Sequence, residues 1–181
     1  MTHDTSDPVR AQHSIATTPP DADPSAIREA IDAATAAPAN DLPPRYRITV
    51  VAAARSNPGR AVGAYVVRLG TRTRLVAVEG VGIGSTHRAV LVTIAAALRA
   101  DRGQRLAITL VTNQQSAIAG INSMLRDGLC SSVEMMGIRD AVVAAGVPVD
   151  FVFKANGSGD VDLTAAREAA AAIISSRARP S

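Results

Sequence analysis

The sequence predicts one mixed α/β domain whose sheet begins as an antiparallel meander and ends with parallel strands. Residues 46–83 contain three segments rich in β-branched and apolar residues with short connections between them. Such segments form antiparallel neighbours. Residues 106–112 form a continuous apolar segment, typical of a parallel strand covered on both faces. Because segments with helical spacing separate the later strands, crossover helices are expected on the faces of the sheet.

The elements are predicted in the order βββαβααβα. The first strand ends at the turn signal Ser56-Asn57-Pro58-Gly59, and Ser85-Thr86 supplies the caps of the first helix. Segments rich in β-branched and apolar residues predict strands, and apolar residues that recur every three to four positions predict helices. The predicted strands are 46–54, 63–69, 72–83, 106–112 and 149–154, and the predicted helices are 87–100, 116–125, 133–145 and 163–175.

Composition limits the classes of function. A chain of 181 residues with 47% hydrophobic residues can bury one core without disulfides or a structural metal. Aromatic residues make up only 2%, so platforms for stacking unpaired bases are scarce. Cys130 is the only cysteine, which excludes an internal disulfide and a multi-cysteine zinc site. With no apolar run of about 18 residues and no signal-peptide pattern, a soluble cytoplasmic protein is expected.

Charge divides the chain into an acidic tail and a basic domain. Residues 1–43 hold two Arg against seven acids, a net charge of −5, and residues 44–181 hold seventeen Lys or Arg against nine acids, a net charge of +8. We expect a disordered tail over 1–43 with a short helix at 24–37, a domain over 44–176 and a disordered end over 177–181. The domain would attract polyanions and the tail would fold back on its basic face, although such charges also occur on domains that bind no nucleic acid.

Four fragments carry a family resemblance. Asn57-Pro58-Gly59 follows Val51 by six residues within the first hairpin, and Ser85 to Leu98 joins the third strand to the first helix. Val111-Thr112-Asn113-Gln114-Gln115 closes the fourth strand, and Phe151 to Gly157 precedes a helix that contains Ala166. In this order, from Arg47 to about Ala170, the fragments resemble the type 1 ribonuclease H family. The resemblance implies a ribonuclease H-like mixed five-stranded sheet, three antiparallel strands plus two parallel ones, flanked by helices.

The resemblance also implies that the family's chemistry has been lost. The positions of the four metal-binding carboxylates hold Val51, Val90, Asn113 and Ala166, and Asn156 stands where the family usually has a histidine. Hard divalent cations need anionic oxygen ligands, so neither a metal nor another cofactor is expected. The chain is therefore predicted to be a catalytically inactive relative. Residual metal-dependent endonuclease activity would have to use Asp160, Asp162 or Glu79.

Binding groups remain at positions that match family contacts to a duplex. Amide, hydroxyl and imidazole groups can contact ribose and base edges in the wide minor groove of an A-like helix, and basic side chains can contact phosphates. Three of the candidates also have a structural alternative: Asn57 suits its turn, His87 a solvated helix start and Gln115 the start of the next helix. An RNA/DNA hybrid or double-stranded RNA is the expected ligand, and a protein-interaction scaffold, with a protein partner or a homo-oligomer, is the alternative. The candidate binding residues are Arg55, Asn57, Arg60, Thr86, His87, Arg88, Gln115 and Lys154.

Overall fold

The computed structural model describes residues 46–56, 58–78, 83–100 and 106–176. The tail and its predicted helix at 24–37 lie outside the described residues. The strands are β1 (Tyr46–Ala54), β2 (Gly59–Leu69), β3 (Arg72–Val78), β4 (Ile83–Gly84), β5 (Ile108–Thr112) and β6 (Val149–Phe153). The helices are α1 (Thr86–Ala100), α2 (Gln115–Asp127), α3 (Val133–Ala145) and α4 (Val161–Ser176). None of the helices in these ranges is long and apolar enough to cross a membrane.

The predicted mixed sheet is confirmed. The strand order is β3-β2-β1-β5-β6, with β1 antiparallel to β2, β2 antiparallel to β3, and β5 parallel to both β1 and β6. The two-residue β4 pairs with the start of β2. Parallel pairing follows from the crossover helices, because a chain that returns over a face of the sheet re-enters it in the same direction.

Several strand boundaries differ from the predicted ones. The third predicted strand, 72–83, is divided into β3, which ends at Val78, and the separate β4, and β6 ends at Phe153 rather than at residue 154. β2 begins at Gly59 rather than at residue 63, because the hairpin continues the ladder: the Arg55 amide donates to the Arg60 carbonyl at 3.0 Å. A Cβ atom on Gly59 would lie 2.0 Å from Ser56 Oγ, so the turn requires glycine there. β5 begins at Ile108 rather than at residue 106, and Leu106 is exposed. The continuous apolar segment is thus longer than the strand that it predicts.

Helices cover both faces of the sheet. Along β1, Ile48 and Val50 face the large core that α1, α2 and α3 complete, whereas Val51 faces α4. This alternation is the two-residue period of a strand. Both faces of β1 are buried from Ile48 to Ala52, and the buried residues on the α4 side include the polar Thr49. α1 starts where Ser85 Oγ accepts a hydrogen bond from the Arg88 amide at 3.1 Å.

Close packing of α1 on the sheet depends on Gly63. A Cβ atom at this position would lie 1.8 Å from Oγ1 and 2.8 Å from Cβ of Thr93. Thr93 is fully buried, and its hydroxyl donates to the Ala89 carbonyl at 2.7 Å. The helix therefore approaches β2 more closely than any residue with a side chain at position 63 would permit.

Ion pairs hold α4 on the face of the sheet that is opposite α1. The Asp160 carboxylate accepts from Lys154 Nζ at 2.9 Å, from Arg47 Nη2 and, at 3.1 Å, from the Leu163 amide in the first turn of α4. Asp162 accepts a two-pronged pair from Arg68, at 2.9 Å from Nε and 2.6 Å from Nη2. Burial opposes ionisation of Asp160, but these donors together lower its pKa to about 2. Hydrogen bonding to Asp162 raises the pKa of Arg68.

Substitution of Gly63 by alanine should destabilise the domain. The added methyl group must push α1 away from β2, and overpacking of this kind costs about 1–3 kcal/mol. Urea denaturation of both variants would measure the loss. The control is Gly84→Ala, where the nearest atom is the flexible Arg88 Cδ at 3.3 Å. Equal loss of stability in the two variants would contradict the close-packing account.

The ion pairs of Asp160 should make stability fall in acid. Since the pKa of Asp160 is about 2 in the folded protein and near 3.8 when unperturbed, its contribution is present above pH 3.8 and is lost as the pH falls toward 2. At pH 7, Asp160→Asn should lose about 1–2 kcal/mol of unfolding free energy. This loss is smaller than the free energy that corresponds to the whole pKa shift, because Lys154 is partly exposed and solvent screens its charge. The difference between this variant and the native protein should shrink as the pH falls to 2. Asp150→Asn, which alters an exposed carboxylate on β6, is the control, and a pH-independent difference for Asp160→Asn would refute the assignment.

Candidate nucleic-acid interface

The candidate interface lies where the parallel strands end. Val50 of β1 is in register with Thr112 of β5, and Thr112 is in register with Phe153 of β6. Val51 follows Val50 in β1, and Asn113 follows Thr112 directly after β5. The two residues are therefore neighbours across the β1–β5 pair. The crevice outside the carboxyl ends of parallel strands is where ligands of open α/β sheets bind. Strand pairing alone thus brings two of the sequence-predicted positions together.

Three of the four positions that the family resemblance assigns to carboxylates are filled by apolar packing. Val51 is 1% exposed and shares a cluster with Leu163 and Ala166 of α4. Val90 is fully buried in the larger core on the α1 face. The sheet and α4 are therefore joined through methyl groups at this level.

The fourth position forms an amide pair. Asn113 Nδ2 donates to Asn156 Oδ1 at 2.9 Å and so links the end of β5 to the loop that follows β6. The Lys154 amide extends the ladder beyond β6 by donating to the Thr112 carbonyl at 3.0 Å, which sets the position of that loop. Asn113 Oδ1 is buried and has no hydrogen-bond partner among the described residues. The pair is neutral, and its amides can both donate and accept hydrogen bonds.

A second polar contact joins the first turns of α1 and α2. His87 Nδ1 lies 3.1 Å from Ser116 Oγ, next to Thr86 and the exposed Gln115. Sequence reasoning missed Ser116. Its place beside Gln115 in the first turn of a helix is the only signal in the sequence, and that signal does not reveal which helix packs nearby. The first turns of α1 and α2 meet at this surface, and the positive end of a helix dipole favours negative ligands.

The predicted phosphate contacts fall into two groups. Arg88 and Lys154 form ion pairs with acidic side chains: Arg88 Nε lies 2.7 Å from Glu134 Oε1, and Lys154 Nζ lies 2.9 Å from Asp160 Oδ2. Arg55 and Arg60 are exposed at the β1–β2 hairpin. Asn57, in the same hairpin, lies outside the described residues. Among the predicted phosphate contacts, the two arginines of the hairpin are therefore more available to a ligand than Arg88 and Lys154.

Two of the acids considered for residual catalysis, Asp160 and Asp162, instead hold α4 on the sheet through ion pairs. Asp160 and Asp162 have side chains that are only 3% and 2% exposed, and each is paired with basic groups. Glu79 lies outside the described residues. Across the part of the chain that the structure describes, no three His, Cys, Asp or Glu side chains form a group that could hold a metal ion.

Comparison with known proteins identifies the architecture. The sequence matches no family profile and no curated protein. The structure is similar to that of ribonuclease H1 from the halophilic archaeon Halobacterium salinarum NRC-1, with a TM-score of 0.51 and 18% identity over 69% of this chain and 96% of that one. It is also similar to LC11 ribonuclease H1 in complex with an RNA/DNA hybrid, with a TM-score of 0.53 and 13% identity over 72% and 99% of the two chains. The chain has the ribonuclease H-like fold.

Proposed function

We propose that this protein binds an RNA-containing duplex, an RNA/DNA hybrid or double-stranded RNA, at the carboxyl ends of β1, β5 and β6, and does not cleave it. The observation that carries the proposal is the Asn113–Asn156 amide pair, which lies beside the apolar packing of Val51 at the level where the family resemblance places metal ligands. The fold is shared with a protein whose structure holds an RNA/DNA hybrid, which supports the ligand class.

The donor set does not suit the family's two cations. Two-metal catalysis needs cations about 3.5–4 Å apart, and divalent cations of this kind require anionic oxygen ligands. Valine and alanine provide none, and asparagine provides a neutral carbonyl. Asp160 and Asp162 already accept hydrogen bonds from basic side chains, so recruitment of either one by a metal would break an ion pair. A two-metal hydrolytic mechanism therefore does not fit these residues.

The same surface has the chemistry for binding without cutting. Amide groups at the pair and Gln115, together with the hydroxyl of Ser116, can donate to and accept from ribose hydroxyls in a wide minor groove. Arg55 and Arg60 at the hairpin would contact phosphates on one side of that groove. Val51 and Ala166 in the cluster under α4, and Val90 in the core on the α1 face, carry no charge that would repel the phosphate backbone.

The first test is a titration of an RNA/DNA hybrid, double-stranded RNA and double-stranded DNA at several salt concentrations, with Mg²⁺ present and the nucleic acid checked for cleavage. Tighter binding to the RNA-containing duplexes, weakened by salt and without cleavage, is expected. Arg60→Ala should reduce the slope of log K against log salt by about 0.7–0.9, the value for one phosphate contact. Arg72→Ala, which removes an exposed arginine from β3, should leave the slope unchanged. Mg²⁺-dependent cleavage would refute the inactive assignment.

Substitution within the amide pair provides the second test. Loss of a hydrogen bond worth about 0.5–1.5 kcal/mol should weaken hybrid binding by about 2- to 13-fold in Asn156→Ala. Affinity for double-stranded DNA should change less, because DNA lacks the 2′-hydroxyl. Ser158→Ala, an exposed position in the same loop, is the control. If both variants bind the hybrid as the native protein does, the pair is not part of the binding surface.

A protein-interaction scaffold is the second candidate function. The ion pairs of Arg88 and Lys154 favour it, because each removes a basic group from the set available to phosphates. Failure to bind any duplex at low salt, with the protein folded, would favour this scaffold over the duplex-binding function.

A further inference from the structure

We infer that the apolar outer face of α3 is a docking surface for residues 24–37 of the same chain. The inference is independent of nucleic-acid binding. Three large apolar side chains, the α3 stripe, form this face: Val133 is 79% exposed, Met136 46% and Val143 76%. Soluble domains seldom leave contiguous apolar surface open to water without using it.

The stripe follows the geometry of a helix. Val133, Met136 and Val143 project within roughly 80° of one another around α3, at 100° per residue. Leu129, in the connection that precedes the helix, is also exposed, at 78%. Asp140, paired with Arg139 at 3.2 Å, is the one charged side chain within this arc. The opposite side of α3 is buried through Met135, Ile138 and Ala141, so the helix has two apolar faces and only one is covered by the described residues.

Residues 24–37 have a matching pattern. Ile27, Ile31 and Ala34 occur at i, i+4 and i+7, which gives one apolar side to a helix that follows Asp23-Pro24-Ser25. With only two large apolar side chains and a length of fourteen residues, the segment is too short and too weakly apolar to stay helical in water without a partner surface. The stripe from Val133 to Val143 spans about 15 Å, which is also the length of ten helical residues of the segment.

The position at which the chain enters the sheet favours α3 as that surface. Tyr46 begins β1 in register with Ile108, and Ile108 is in register with Val149, so the three strands start at one edge. α3 ends at Ala145, and only residues 146–148 separate it from β6. The entry point of the tail is thus two strand spacings, roughly 10 Å, from the strand that α3 feeds. Residues 38–45, including three prolines, can span up to about 25 Å.

Disulfide trapping in the full chain tests the docking. In a Cys130→Ser background, Ile31→Cys is combined either with Met136→Cys on the stripe or with Arg72→Cys. Leu69 pairs with both Tyr46 and Arg72, so Arg72 also lies two strands from the entry point, on the other side. A tail that only diffuses on its tether would therefore react with both positions. We expect an intramolecular disulfide to form several-fold faster with position 136, measured by mass spectrometry at low protein concentration.

Two outcomes would overturn the inference. Equal rates at the two positions would mean that the tail has no preferred surface, and disulfide-linked dimers at low concentration would assign the stripe to a second copy of the chain. Hydrogen exchange offers a separate readout. Ile31→Asp should reduce protection of the α3 amides, whereas Ala33→Asp, which adds the same charge on the other side of the predicted helix, should not. Unchanged protection in Ile31→Asp would also refute docking.

Discussion

The burial of β1 on both faces is the constraint on which the rest of the structure depends. It is the central strand, bordered by β2 and β5, with the large core on one face and α4 on the other. A carboxylate at position 51 would face α4 beside Leu163 and Ala166, where desolvation strongly opposes charge unless a cation is bound. Valine removes that cost. The contact between sheet and α4 can then close without a metal ion.

The charges that remain on this face hold the fold together. Arg47 and Arg68 come from β1 and β2, and they meet Asp160 and Asp162 at the start of α4. An isolated buried ion would be costly, whereas a paired and hydrogen-bonded one fixes the position of the helix. Because Asp160 also accepts from Lys154, the loop that carries Asn156 is tied to the same anchor. The geometry of the amide pair therefore depends on the ion pairs of Asp160.

Sequence patterns predicted the elements well because each has a local cause. The turn at Pro58-Gly59, the Ser85 cap and the spacing of Val90, Leu91 and Ile94 act within a few residues. The candidate interface was less predictable, since its contacts join distant parts of the chain. Arg88 is paired with a residue 46 positions away and His87 with one 29 positions away, and neither partner has a local signature. Only the family resemblance placed Val51 and Ala166 together, because periodicity cannot tell which helix covers a given face.

The candidate interface and the point at which the chain enters the sheet lie at opposite ends of the parallel strands. The candidate interface is at the carboxyl ends, whereas the chain enters at the amino end of β1. A segment docked on α3 would cover an apolar face that contains none of the candidate binding residues, in contrast to the expectation that the acidic tail covers a basic face. It would still bring Glu29 and Asp32 onto the domain, and their charge acts over a Debye length of about 8–10 Å. In that arrangement the tail would reduce long-range attraction of a polyanion, and so its association rate, without competing for the contacts that hold it.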